Sequence, residues 1–174
     1  MTAEHAVDHD EVIAAARSGD RVAFGLLYIR YRQMVHAVVL SIPSVGDADD
    51  VVQEVFLTAM RRLHTLRDPG SFGAWLAAIA RNEARGSLGR TKSSVELTDQ
   101  RIGSRQEDDA AAQLALSTIR SLPEAYRETL LMRLVEGMTG PEIAAQTGLT
   151  PDSVRVNLHR GMRLLREALG GTTR

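Results

Sequence analysis

Apolar residues recur at intervals of three and four along most of the chain, while the strict alternation of a half-buried strand is almost absent, so the pattern predicts an all-α protein. Val12 and Ala16, then Phe24, Leu27, Tyr28, Tyr31, Val35, Val38 and Val39, keep helical spacing with an interruption at Ser18, Gly19 and Asp20. This predicts a short first helix and a long second one. Pro43 and Gly46 end the second helix, and Asp47 is placed to cap a third over residues 48–63. Residues 67–71 read as a loop. A fourth helix opens near Phe72 and continues through Trp75, Leu76, Ile79 and Ala80 to about residue 88.

Between residues 91 and 109 the periodicity lapses into TKSSVELTDQRIGSRQEDD, which is polar and has no repeating apolar face. The expectation is a flexible linker joining an N-terminal helical domain, residues 1–90, to a C-terminal one, residues 110–174. At full extension about 20 residues reach roughly 70 Å, so the two domains need not touch.

The C-terminal stretch carries clear helix punctuation. Ser121 with Pro123 and Glu124 has the form of a capping box, and Gly137 stands where a glycine stops a helix. Thr139 with Glu142 repeats the box, Gly148 closes a short helix, and Thr150 with Pro151 opens another. Ile143, Ala144, Leu149, Val154, Leu158, Gly161 and Leu165 form the seam expected between those two helices. Helix, tight glycine turn, helix is the arrangement in which the second helix enters the DNA major groove. With that seam inward, Arg155, His159, Arg160, Arg163 and Arg166 point outward and make the second helix positive, suited to phosphates and guanine edges.

Charge is unevenly laid out. Residues 1–60 hold four arginines against nine acids and residues 61–105 hold nine Lys or Arg against four, nets of about −5 and +5 under an overall −1. There is no cysteine, which excludes disulfides, thiolate metal sites and cysteine catalysis. With neither a signal-type apolar stretch near the start nor a run long enough to span a bilayer, a cytoplasmic protein without membrane insertion is expected. His5 and His9 share a helical spacing but fall in a polar terminus expected to fray, so no metal site is assigned to them.

The stretch DADDVVQEVFLTAM, residues 47–60, sets an acidic stripe of Asp49, Asp50, Gln53 and Glu54 against an inward side of Val51, Val52, Val55, Phe56 and Ala59. Clustered carboxylates on a helix can hold magnesium for diphosphate chemistry, but such cages need carboxylates on an opposing helix, and the fourth helix offers only Glu83 between Arg81 and Arg85. Complementing the helix dipole accounts for Asp47 and Asp49. Gln53 and Glu54 lie beyond its reach, so the residues by themselves leave a metal-holding cluster and a docking face for another protein both open.

DADDVVQEVFLTAM, then FGAWLAAIARNEA, then LPEAYRETLLMRLVEGMTGPEIAAQTGLTPDSVRVNLHRGMRLLREAL together resemble the extracytoplasmic-function (ECF) type sigma factors of bacterial RNA polymerase, over about residues 22–169. The resemblance implies a non-enzymatic sigma factor with no cofactor, which binds core polymerase and promoter DNA and is held by an anti-sigma factor. It places Asp49, Asp50, Gln53 and Glu54 on a coiled coil of the largest polymerase subunit. It assigns Leu66, Arg67, Asp68, Ser71, Trp75, Arg81, Asn82 and Arg85 to capture of an unpaired base and opening of the downstream promoter element, although Trp75 at its spacing with Phe72 and Ile79 reads as core. By the same likeness Arg155, Val156, His159, Arg160 and Arg163 read the upstream element.

The chain departs from the family pattern in two places. Val156 and Asn157 stand where relatives often carry Ser then Arg, which favours a thymine-methyl contact at Val156. GSLGR, residues 86–90, replaces a more basic, glycine-poor helix end and points to a shorter helix or weaker duplex contact. Two other readings stand beside this one: a helix-turn-helix regulator that binds operators without polymerase, and a magnesium-dependent helical enzyme acting on diphosphates.

Overall fold

The computed structural model describes residues 8–43, 45–91 and 106–170, and every regular element among them is helical. Helix α1 (His9–Arg17) is capped by Asp8, and α2 (Arg21–Leu40) by Asp20, whose carboxylate accepts from the Val22 and Ala23 amides. Asp47 caps α3 (Ala48–Arg62) through the amides of Asp49 and Asp50, as its position predicts. Acids in the first turn of α3 and Arg61 and Arg62 in its last complement the helix dipole at both ends. Two single 3-10 turns, Leu63–Thr65 and Pro69–Ser71, lead into α4 (Phe72–Thr91). Helix α4 therefore runs past residue 88, and Gly86 neither shortens nor breaks it.

Helix α2 forms the axis of the N-terminal group. Leu27, Tyr31, Met34, Val35 and Val38 are essentially inaccessible, packed among α1, α3 and α4. Each such side chain contributes about 1.5–3 kcal/mol through burial. Tyr31 and Phe72 meet edge to face with centroids 4.9 Å apart. His9 is not in a fraying end: its Nε2 lies 3.0 Å from the Tyr31 hydroxyl, and its ring packs against Phe72. Its suggested companion His5 lies outside the described residues.

The C-terminal group comprises α5 (Gln106–Ser121), α6 (Glu124–Leu134), α7 (Gly140–Thr147) and α8 (Pro151–Gly170). The helices at either end take in residue 91 and residues 106–109 of the expected linker, and the remainder of it, 92–105, lies outside the described residues. The predicted capping box at Ser121 does not form. Helix α5 runs through Ser121, whose hydroxyl donates back to the Thr118 carbonyl, and Pro123 takes the N-cap position of α6 without a side-chain cap. At α7 the box is complete: the Thr139 side chain accepts from the Glu142 amide and Glu142 accepts from the Thr139 amide. Hydrogen bonds from the Thr139 amide and hydroxyl hold the Glu142 carboxyl below its ordinary range.

The two groups touch along α2, α4, α6 and α7, and their buried residues form one continuous core. Arg120 of α5 donates from Nε to the Leu40 carbonyl at 2.8 Å, satisfying a backbone acceptor at the end of α2. His36 of α2 pairs with Glu136, and Gln33 reaches the Glu136 carbonyl.

Candidate nucleic-acid and protein-docking site

Helices α7 and α8 build the helix-turn-helix. Gly148 adopts φ +76° at the end of α7, a left-handed conformation that L side chains rarely accept, and so makes the sharp turn. The Thr150 hydroxyl then accepts from the Ser153 amide at 3.1 Å and starts α8. Ile143, Ala144, Val154, Gly161 and Leu165 are buried and Leu158 is partly so, as the seam requires. Leu149 is a correction: it is 39% exposed at the turn instead of filling the seam. Gly137 ends α6 at φ +69°, and the next amide, Met138, donates back to the Met132 carbonyl.

With that seam fixed, Arg155, Val156, His159, Arg160 and Arg163 all stand on the exposed face of α8. Two of its cations carry local ion pairs, Arg155 with Asp152 at 3.1 Å and Arg163 with Glu167 at 3.4 Å. These pairs are highly exposed, hold the side chains weakly, and yield readily to phosphate. Asn157 turns inward and lines a cleft that α8 shares with α4, α6 and the end of α7.

Asp49, Asp50, Gln53 and Glu54 share an exposed face of α3, while Val51, Val52, Val55, Phe56 and Ala59 are buried behind them. Asp49 lies 3.5 Å from Arg32 of α2. The same face continues one turn on into Leu57 and Met60, 43% and 49% exposed, so acids give way to an apolar patch. The spacing from Gln53 and Glu54 carries that signal, which the sequence reading passed over. Glu83, the carboxylate opposite α3, accepts from the Thr58 hydroxyl at 2.9 Å, and no cluster of three metal-ligating side chains occurs among the described residues.

The expected downstream-element residues divide. Arg67, Asp68 and Asn82 are exposed and Ser71 is half-buried. Asp68 also accepts from the Gly70 amide, and the Ser71 hydroxyl donates to the Asp68 carbonyl, so the loop is internally braced. Leu66 is a correction: it is 3% exposed, a core residue with no face for a base. Trp75 lies half-buried at the core edge with its ring 5.8 Å from Phe72, on the core side that its spacing indicates.

Arg81 and Arg85 are held from across the molecule. Arg81 donates from Nε and Nη2 to the two carboxylate oxygens of Glu128 on α6 at 2.7 and 2.8 Å. The Glu128 hydrogen bond raises the pKa of Arg81 against the opposing effect of burial. Arg85 reaches Glu124 at 2.8 Å. Beside these pairs a cleft of about 210 Å³ opens between α4, α6 and α7, lined by Ala77, Met132, Thr147 and Leu149 among others.

An exposed acidic face on α3 together with a helix-turn-helix whose second helix is open and cationic fits the class of proteins that bring DNA recognition to another machine. Known proteins agree. The family description Sigma-70 region 2 matches residues 27–93, and Sigma-70, region 4 matches residues 112–165. The ECF RNA polymerase sigma-E factor of Escherichia coli strain K12 is 31% identical over 167 residues, covering 86% of this chain and 87% of that protein. The ECF RNA polymerase sigma factor BldN of Streptomyces coelicolor is 28% identical over 91% of this chain and 65% of BldN. Among solved structures, CnrH in complex with the cytosolic domain of CnrY is 31% identical with a TM-score of 0.57, covering 94% of this chain and 99% of that one. The sigma factor RpoE in complex with the anti-sigma factor NepR from Bartonella quintana shares the fold at 22% identity and a TM-score of 0.51, over 84% of this chain and 96% of that one.

The chain belongs to the ECF sigma factors. It is a sigma factor that directs promoter-specific transcription initiation, and its working partners are RNA polymerase and promoter DNA. These matches do not favour an operator-binding regulator or a diphosphate enzyme. No described helix is long and apolar enough to cross a membrane.

Proposed function

We propose that the three surfaces divide the work of initiation. The α3 face of Asp49, Asp50, Gln53 and Glu54, continued by Leu57 and Met60, docks on a coiled coil of the largest subunit of core RNA polymerase. Its acid-then-apolar character suits a partner helix that carries cations beside aliphatic side chains. Arg67, Asp68, Ser71, Asn82, Arg81 and Arg85, on the loop before α4 and on α4 itself, meet the downstream element as it opens. On α8, Arg155, Val156, His159, Arg160 and Arg163 read the upstream element, with Val156, 39% exposed, available to a thymine methyl.

The observation that carries this reading is the α7–α8 turn, capped at Thr139 and Glu142 and closed at Gly148, which leaves the cationic face of α8 open. The protein acts by positioning and has no catalysis of its own, and it works in the cytoplasm. An anti-sigma protein is the expected restraint. In support, CnrH, a similar chain, is known in complex with the cytosolic domain of a second protein.

Because few cations face DNA and the N-terminal part is acidic, the free chain binds promoter DNA feebly, and polymerase supplies the alignment of both reading surfaces. The test is run-off transcription on a promoter library, together with promoter binding at matched salt with and without core polymerase. Specific initiation and binding only in the presence of polymerase is the expected result. Asp50→Arg with Glu54→Arg abolishes association with core polymerase, while the reversed charge in the first turn of α3 costs only about 1 kcal/mol of fold stability. Equally tight promoter binding by the lone chain would overturn the reading.

A further inference from the structure

The first three turns of α8 contain a single acid, Asp152. Asp152, Arg155, Val156 and His159 are spaced i, i+3, i+4, i+7, so they stand on one face of the helix, and all four are exposed. The last three are assigned above to the upstream element. Asp152 lies a turn nearer the helix N-terminus, the end of a recognition helix that meets base edges.

The local structure does not need a carboxylate here. The Thr150 hydroxyl already accepts from the Ser153 amide at 3.1 Å and lies 2.8 Å from the Ser153 hydroxyl. At the start of α7, Glu142 folds back onto the Thr139 amide, whereas Asp152 turns outward to Arg155 at 3.1 Å. An acid near a helix N-terminus gains from the dipole. On a surface laid against phosphates the same charge repels DNA, and it lowers affinity unless a donor meets it.

Arg155 is that donor only until DNA arrives. The pair is exposed on both sides, 77% for Arg155 and 86% for Asp152, and gives way when Arg155 turns to a phosphate or a guanine. Asp152 is then an acceptor-only group facing the major groove. That groove offers two amine donors, cytosine N4 and adenine N6. Adenine sets its N7 acceptor beside the amine, against the second carboxylate oxygen, and guanine and thymine present O6 and O4. Cytosine shows the amine with no acceptor beside it.

We propose that Asp152 is a specificity-determining residue of upstream-element recognition, whose carboxylate accepts from the N4 amine of a cytosine and disfavours the other three bases at that position. The proposal rests on the reading of α8 given above, in which this face enters the major groove. Asp152 thereby lowers affinity for DNA in general and raises selectivity, because its repulsion is relieved only where the cytosine stands.

The test uses polymerase holoenzyme formed with the full chain, and promoters in which each position of the upstream element carries each of the four bases in turn, read as run-off rates. Asp152→Ala should erase a cytosine preference of about fivefold or more at one position, and raise initiation on templates that lack the cytosine. Asp152→Asn should move that preference toward adenine, since a carboxamide both accepts from N6 and donates to N7. Arg155 reading the guanine opposite would give the same preference, so Arg155→Ala is run alongside. A cytosine preference lost in Arg155→Ala and kept in Asp152→Ala would overturn the proposal. A uniform gain on every template in Asp152→Ala, with the base profile unchanged, would also overturn it and reduce Asp152 to a repulsive charge. Parent rates indifferent to the upstream element would overturn the reading of α8 itself, and the proposal with it.

Discussion

Gly161 of α8 lies directly against Leu130 of α6: a methyl group added at Gly161 would sit 3.1 Å from both Cγ and Cδ1 of Leu130. Leu130 is fully buried, so it has little freedom to retreat. Gly161→Ala gains up to about 1 kcal/mol in helix propensity. It meets an overpacking cost of about 1–3 kcal/mol. The expected net is a loss of about 1 kcal/mol in urea unfolding, with weaker upstream-element binding as α8 tilts from α6.

The pair of Arg81 and Glu128 is sheltered enough for its loss to register in stability. Glu128→Ala and Arg81→Ala should each cost about 1–3 kcal/mol, because each leaves a half-buried charged group without its partner. The double variant should cost less than the sum by about 1 kcal/mol or more, since the second substitution removes a group already stranded. A urea-unfolding cycle of the four proteins measures that coupling, and additivity would show that the two side chains do not interact in solution.

Acid should weaken the packing of α1. Burial, and then the Arg30 charge, hold the pKa of His9 below its usual 6.5. The folded state therefore binds fewer protons than the unfolded chain in that window, and stability rises with pH. The contribution is fully present above the unfolded value, is lost as pH falls through 6.5 toward the lowered folded value, and is gone below it. The Tyr31 hydroxyl lies 3.0 Å from His9 Nε2, and in the protonated ring both nitrogens are donors, so Nε2 can no longer accept from Tyr31. His9→Gln keeps an acceptor without a titration, so denaturation at pH 5.5 and 7.5 should show a smaller pH difference in the variant than in the parent.

Arginines on α8 should separate by role. Arg160→Ala should cost about 1–3 kcal/mol at a cognate upstream element and relax selectivity there, if its fork meets a guanine. Arg166→Ala, farther along the exposed face, should weaken all sequences alike and lower the salt dependence of binding. Both are measured on the polymerase holoenzyme across a set of single-base promoter variants, and an equal loss on every sequence for Arg160→Ala reduces it to a phosphate contact.

Local chemistry was the legible part of this chain. Asp47, the Thr139 and Glu142 box and Gly148 set helix ends through bonds to residues two to four positions away, so short-range spacing suffices to find them. The acidic stripe and the cationic face of α8 follow from helical period alone. Ser121 misled because a serine followed by proline and glutamate serves equally at the end of one helix and before the start of the next, and here its hydroxyl turned back to Thr118. Leu66, in a polar loop context, gave no sign of being drawn into the core. The bonds of Arg81 and Arg85 to α6 cross 47 and 39 positions, and no periodicity encodes which carboxylate an arginine will find at that distance.

The absence of a side chain at position 73 acts as a size filter on posture. In this chain alanine or anything larger at position 73 would force the start of α4 and the end of α7 apart, because the neighbour it meets is the Gln146 backbone. The closeness of those two helices is thus set by a missing side chain, not by any attractive contact at that point.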